Sequence, residues 1–316
     1  MTSWVLFMTS SRTRSEQRLK LRDLHVLEAV VSAGSMMKAA SALSITQPAV
    51  SYAVAQLEHA LGVPLLDRTS QGVTPTVYGH ALLARSAIVF NELRQAADEI
   101  GWLADPRVGE VRIGTTPPMA AIVSAVCNRL VPTYPRMTFD VSVAASDLLL
   151  RQLRQREVEL VLSRVVDWMA ADDLGIETLF HDDLAVICSR RSRWARRRKV
   201  TLLDLLAEPW VFPPATGFLT QIIDRAFAEA ALERPRATVT TSSTYALSVL
   251  VGNGPFLAIH PRTMLTTPRP HPLLTAIDLR LPTTLGPIGL ITLRNRALSP
   301  AAAVFRQTTG SVVAAL

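Results

Sequence analysis

Leu24, Leu27, Val30 and Val31 recur at three- and four-residue spacing, which places them on one face of a helix. The pattern stops at Ala33-Gly34, where a glycine can close the helix in a left-handed conformation. Ser35 is placed to cap a second short helix over residues 36–43, in which the pair Ala39-Ala40 lets a neighbour approach closely. A turn at Ser44-Ile45 leads to Thr46, the N-cap of a third helix. Pro48 falls in the first turn of that helix, where the missing N–H has no intrahelical partner to lose. Val50, Val54, Leu57 and Leu61 form its inner face, leaving Gln47, Ser51, Tyr52, Ala55 and Gln56 outside.

Gly62, Pro64, Gly72 and Pro75 then bound two short segments that suit a two-stranded wing carrying Arg68. Over residues 76–103 a longer helix carries a wide apolar stripe, with Leu83, Phe90, Leu93 and Ile100 in the centre and Leu82, Val89 and Leu103 beside it. A stripe this wide needs a partner, either a second subunit or the chain's own C-terminal part. Asp105-Pro106 ends the helix and the pattern changes to short β-like runs alternating with helical ones: EVRIGTT, TFDVSVA, VELVLSRV, DLAVICS, PWVFPP, ATVTTSS, PFLAIHP, TAIDLRLP and PIGLITLR. Alternation of this kind implies α/β topology with parallel sheets, and two βα blocks, beginning near Val111 and near Val186, imply two lobes with a cleft between them.

Composition supports several folded cores: 316 residues, 49% of them hydrophobic and 19% charged. No apolar run approaches the roughly 20 residues of a membrane helix, so no membrane association is expected. Residues 1–18 lack periodicity and a basic region before their apolar patch, and read as a disordered tail rather than an export signal. Cys127 and Cys188 lie in separate apolar stretches, as reduced cytosolic thiols do. The scattered histidines offer no metal-ligand spacing, so neither metal nor resident cofactor is expected. Net charge is +7, consistent with a polyanionic partner. Its placement is uninformative: residues 1–75 hold seven Lys/Arg against five Asp/Glu, while RRSRWARRRK at 190–199 alone holds seven. That run reads as a solvated loop, with an accessory nucleic-acid contact as the alternative.

A helix with a polar N-terminal face, held across a short turn by a small-residue helix, is the design of a helix-turn-helix, although an ordinary helical hairpin shares the pattern. Gln47 can pair with an adenine edge, Ser51 can bond a base or phosphate, and Arg68 can reach the DNA backbone or minor groove. In the α/β part, the segments that follow strands carry Thr115-Thr116, Ser146 and Ser163-Arg164, with Thr216 in the other lobe. Such places collect helix N-termini and bind ligands in α/β sheets. Each hydroxyl could equally be a helix cap; together with one arginine they suit a carboxylate or another small anion.

From Leu21 to about Phe305 the chain resembles the LysR-type transcriptional regulators. The resemblance rests on VLEAVVSAGS, AASALSITQPAVSYAVAQLEHALGVPLLDR, GVTPTVYG, PWVFPP and GNGPFLAIHP. PFLAIHP and PIGLITLR look like the branch that includes regulators of aromatic and sugar catabolism. The family implies a winged helix-turn-helix at 19–76, a linker and dimerisation helix at 77–104, and a two-lobed, periplasmic-binding-protein-like α/β regulatory domain at 105–316. It further implies homodimers paired into a homotetramer, double-stranded DNA with an interrupted palindrome, a small-molecule effector between the lobes, and RNA polymerase as partner if the protein activates. Carried over by position, Ser35, Thr46, Gln47, Pro48, Ser51, Tyr52, Gln56 and Arg68 face DNA, and Thr115, Thr116, Ser146, Arg164 and Thr216 face the effector. Many members have basic residues at Tyr52 and Ala55, and Phe is common at Leu66. A transporter's solute-binding protein would share the two-lobed fold but has no use for residues 21–103. An enzyme would need a nucleophile, base and orienting acid in a recognisable arrangement, or a Gly-rich phosphate loop.

Overall fold

The computed structural model describes residues 19–69, 72–166, 169, 171–215, 218–266, 270–281 and 284–315. The tail expected at 1–18 and the effector residue Thr216 lie outside them. The chain divides into two compact units at Arg94/Gln95.

In the first unit, α1 (Leu21–Ala33), α2 (Met36–Ala42) and α3 (Gln47–Leu61) enclose a core of Leu24, Leu27, Val30, Val50, Val54 and Leu57. The caps are those the sequence implies. Gly34 is left-handed at φ 64°, Ser35 accepts from Lys38 N at 3.5 Å, and Thr46 accepts from Ala49 N at 3.4 Å. Leu61 departs from expectation: it is exposed, and the buried face of α3 is made by Val50, Ala53, Val54 and Leu57. β1 (Leu66–Thr69) and β2 (Gly72–Pro75) pair antiparallel as the wing. The wing is tied down at both ends. Val73 N donates to Gly34 O at 3.0 Å, and Glu58 Oε1 accepts from Leu65 N at 2.8 Å.

The long helix α4 (Val77–Ala104) begins where Thr76 Oγ1 accepts from Gly79 N at 3.1 Å and donates to Pro64 O at 2.7 Å. A Cβ on Gly79 would stand 2.1 Å from Leu65 O, so this position of GVTPTVYG admits only glycine. Val89 and Leu93, and beyond them Ile100 and Leu103, are left exposed.

The second unit is built on one nine-stranded sheet in the order β4-β3-β5-β11-β6-β9-β7-β8, with β10 pairing β6. β3 (Val108–Thr115) lies parallel to β4 (Arg136–Val143) and β5 (Leu160–Arg164). At the other end β7 (Trp210–Phe212) lies parallel to β8 (Val239–Thr240) and β9 (Leu257–Pro261). The two parallel ends are the two lobes, but the sheet as a whole is mixed, which corrects the expectation of purely parallel pairing. The reason is β6 (Leu174–Ser189), a 16-residue strand that runs antiparallel to β11 (Thr284–Leu293) through its first part and antiparallel to β9 and β10 (Leu274–Ala276) through its second. The sequence pattern marked only 183–189 as strand. The first part, LGIETLFH, is half exposed and mixed in polarity, so it lacks the continuous apolar run of a buried strand.

Each lobe has its own core. One gathers Val111, Ile113, Ile122 and Val126 of α5 (Ala120–Leu130), Leu160, and Phe305 of α10 (Pro300–Val313). The other holds Trp210 and Phe212 stacked at 5.2 Å, with Phe227 of α7 (Phe218–Glu229) edge-on to both. Cys127 belongs to the first and Cys188 to the second; burial pushes both thiols up, Cys188 to about 11, so neither is a reactive thiolate. Near the end of α4, Arg112 is 3% exposed and meets Glu110 at 3.2 Å, Asp98 at 3.9 Å and Glu159 at 4.0 Å, while Glu159 accepts from Ser299 N at the start of α10.

Candidate DNA-reading face and effector cleft

On α3 the first turn presents Gln47 and Pro48 to solvent, and the next two turns present Tyr52 and Gln56, with Ser51 half-buried between them. Gln47 Nε2 donates to Ser51 Oγ at 3.0 Å, so the amide is oriented by its own helix. Thr46 is exposed and spends its hydroxyl as an acceptor on the cap. Ser35 likewise serves as a cap of α2, which presents the exposed Lys38 beside it. Arg68 is exposed on β1. These residues lie at the surface of the first unit, with Ser35 and Ser51 half-buried, and Lys38 is an exposed cation beside them that the sequence pattern did not single out.

In the second unit a cavity of about 380 Å³ opens between the lobes. Thr116, Ser146 and Arg164 line it from the first lobe, Leu219 and Pro261 from the second. Each polar group sits where a strand gives way to the next element. Thr116 follows β3 and makes no capping bond with its side chain. Ser146 opens α6 (Ser146–Arg154), and its hydroxyl lies 2.9 Å from that of Ser163. Arg164 ends β5 and donates through Nη1 to the carbonyls of Leu285 at 2.6 Å and Gly286 at 3.3 Å. Burial lowers the Arg164 guanidinium to about 10, against the opposing charge of Asp182, and it is still cationic at neutral pH. Most of the remaining wall is apolar: Pro117, Pro118, Met119, Val166, Leu285 and Ile288.

Thr115, expected beside Thr116, does not reach the cavity. Its side chain is fully buried and donates to Leu162 O at 3.2 Å, because successive residues of a strand face opposite ways and this one turns inward to strap β3 to β5.

Sequence reasoning did not single out Asp182 or His260. Asp182 is buried, accepts at 3.2 Å from Thr263 N at the start of the short helix α9 (Thr263–Thr266), and has its carboxyl pushed up by desolvation. His260 lines a smaller cavity of about 160 Å³ that shares Pro117, Pro118 and Leu219 with the first, beside the Ser243 cap of α8 (Thr244–Asn253). Both stand in strands, with nothing in their spacing to distinguish them from core positions. A larger groove, about 830 Å³, lies along β11 and α10, but its cations are already engaged: Arg306 with Glu177 at 2.7 Å, Arg294 with Leu174 O at 3.1 Å, and Arg296 with Gln95. Among the described residues no group of His, Cys, Asp or Glu is placed to hold a metal, and no helix is long and apolar enough to cross a membrane.

Comparison with known proteins agrees with both halves. Residues 21–80 match the model of the bacterial regulatory helix-turn-helix proteins of the lysR family, and residues 104–313 match the LysR substrate binding domain. The chain is 26% identical over 287 residues to the HTH-type transcriptional regulator GbpR of Azospirillum brasilense, covering 90% of this chain and 84% of that one. It is 29% identical over 282 residues to the HTH-type transcriptional regulator GalR of Pseudomonas putida, covering 89% and 71% respectively. Among solved structures, full-length CbnR in complex with its target DNA superposes with a TM-score of 0.69 at 21% identity, over 93% of this chain and 100% of that one. With a reading helix and wing in one unit, a two-lobed α/β domain in the other, and family matches across both, the chain belongs to the LysR family of DNA-binding transcriptional regulators, proteins with an effector-binding domain and no enzymatic activity.

Proposed function

We propose that this regulator reads an interrupted palindrome with the first turn of α3 and answers to a small amphipathic carboxylate, held between the lobes of its second unit without a resident cofactor. The observation that carries the effector half is Arg164, a half-buried cation on the wall of an otherwise mainly apolar cavity, partnered in that cavity's wall by backbone carbonyls. A carboxylate would exchange with those carbonyls for charge-assisted bonds, with the hydroxyls of Thr116 and Ser146 completing its shell. The apolar walls would take an aromatic or aliphatic body. Asp147 also borders the cavity but pairs with Arg151 at 3.3 Å, which reduces its repulsion of an anion.

For DNA, Gln47 and Ser51 are the base-reading pair, Tyr52 and Gln56 extend that face, and Thr46, Ser35 and Arg68 contact the backbone. The exposed apolar stripe of α4 would pair two chains so that two reading helices meet two half-sites, and pairs of such dimers would give a tetramer. The protein acts where the chromosome is, in the cytoplasm, and meets RNA polymerase there if its output is activation.

The test is calorimetric titration of the full-length protein with a panel of small carboxylates. Arg164→Met and Thr116→Val should each weaken the responding ligand at least 10-fold, about 1.4 kcal/mol or more, while operator affinity without ligand is unchanged. Unaltered ligand affinity in both variants would remove the effector from this cavity.

A further inference from the structure

The basic run at 190–199 is not part of the reading face or the cleft, and the structure shows it to be built rather than loose. Three buried residues hold it: Ser189 at the end of β6, Trp194 in its middle and Val200 just after it. Ser189 Oγ donates to Gly252 O at 3.0 Å and accepts from Arg191 N at 3.3 Å. Ser192 caps a single 3₁₀ turn over Arg193–Ala195 by accepting from Trp194 N at 3.2 Å. The guanidinium carbons of Arg193 and Arg197 lie 4.8 and 5.0 Å from the Trp194 ring centroid, within cation–π range. Arg190 donates to His271 O at 3.0 Å, and Arg193 pairs with Glu208. Arg191, Arg196, Arg198 and Lys199 are left exposed, and among the described residues no carboxylate comes within 4.0 Å of any of them.

A protein partner would be expected to find an exposed aromatic or aliphatic anchor here, since such anchors carry most interface energy. The run itself offers none: Trp194 is 3% exposed beneath two guanidiniums, and the exposed large apolar side chains that flank the run, Leu203 along the chain and Leu273, whose carbonyl accepts from Arg190 N at 2.8 Å, lie outside it. Phosphate backbone asks for the opposite, fixed cations without apolar area, and a turn already ordered loses little freedom on binding. We infer that residues 190–199 are a second, sequence-independent DNA contact, in which Arg191, Arg196, Arg198 and Lys199 bind duplex phosphates outside the palindrome. The inference uses membership of a DNA-binding family and is independent of the assignments on α3 and in the cleft.

The test compares the full-length protein with the triple variant Arg196→Gln, Arg198→Gln, Lys199→Gln, which keeps Trp194 and its two stacked arginines. Both are titrated, over a series of salt concentrations, with a duplex that ends at the edges of the palindrome and with one extended on both sides. Each lost phosphate contact lowers the slope of log K against log salt by about 0.9, so on the extended duplex the slope should fall by roughly two to three for each subunit that reaches the flanking DNA, with weaker binding at low salt. On the short duplex the two proteins should coincide, and their melting temperatures should match. Equal slopes and affinities on the extended duplex, with the fold intact, would overturn the proposal, and so would equal losses on both duplexes.

Discussion

His260 supplies the sharpest quantitative test. It stands on β9, is 4% exposed, and its Nδ1 lacks a hydrogen-bond partner. Burial pushes it from 6.5 down to about 4; the charge of Arg164 acts in the same direction, and a backbone hydrogen bond at Pro261 opposes both. A histidine with a depressed value in the folded state is neutral there while the unfolded chain still takes up a proton. Stability is therefore complete above about pH 6.5 and is lost as pH falls from there to about 4. A shift from 6.5 to about 4 corresponds to about 3 kcal/mol, a large share of a domain's 5–15 kcal/mol.

Replacing His260 with Gln keeps a polar side chain and removes the titration. Urea unfolding of both proteins is followed between pH 7 and pH 4 by tryptophan fluorescence, to which Trp102, Trp194 and Trp210 of the second unit contribute. The expected result is that the wild type loses about 3 kcal/mol more than His260→Gln across that range. Asp182, whose carboxyl is raised, works in the opposite direction, but it is present in both proteins and drops out of the difference. Parallel stability curves would refute the reasoning, because they would mean that His260 finds a proton-stabilising partner in the folded state.

Three further outcomes follow from other parts of the molecule. Gln47→Ala should lower discrimination at one operator base pair by about 1–3 kcal/mol. Ser51→Ala should weaken the same contact by less, because it only frees the amide that Ser51 orients at 3.0 Å, and the double variant measured by competition binding should be less than additive. Leu93→Glu with Ile100→Glu, placing charge on the exposed stripe of α4, should shift the protein toward monomer in analytical ultracentrifugation. Gly79→Ala should destabilise the first unit by more than about 2 kcal/mol in thermal unfolding, since its Cβ would collide with Leu65 O.

Local chemistry is legible in the chain itself. Capping depends on residues a few positions apart, so Gly34, Ser35, Thr46 and Pro48 marked the ends of α1, α2 and α3 from sequence alone. Periodicity also revealed which face of α3 is polar, because that face is defined by the helix itself.

What the tertiary structure decided were matters of pairing between distant segments. Thr115 and Thr116 are chemically alike and adjacent, and only the register of β3 against β5 sends one into the core and the other into the cleft. The mixed sheet arises because β11, late in the chain, inserts between β5 and β6, and no local pattern encodes a neighbour more than a hundred residues away. Arg164, Asp182 and His260 come from three different strands, and their altered protonation is a product of burial, which a sequence does not display. The basic run shows the same division: its charge was plain in the letters, whereas the buried tryptophan that makes it a fixed surface appeared only when the chain was folded around it.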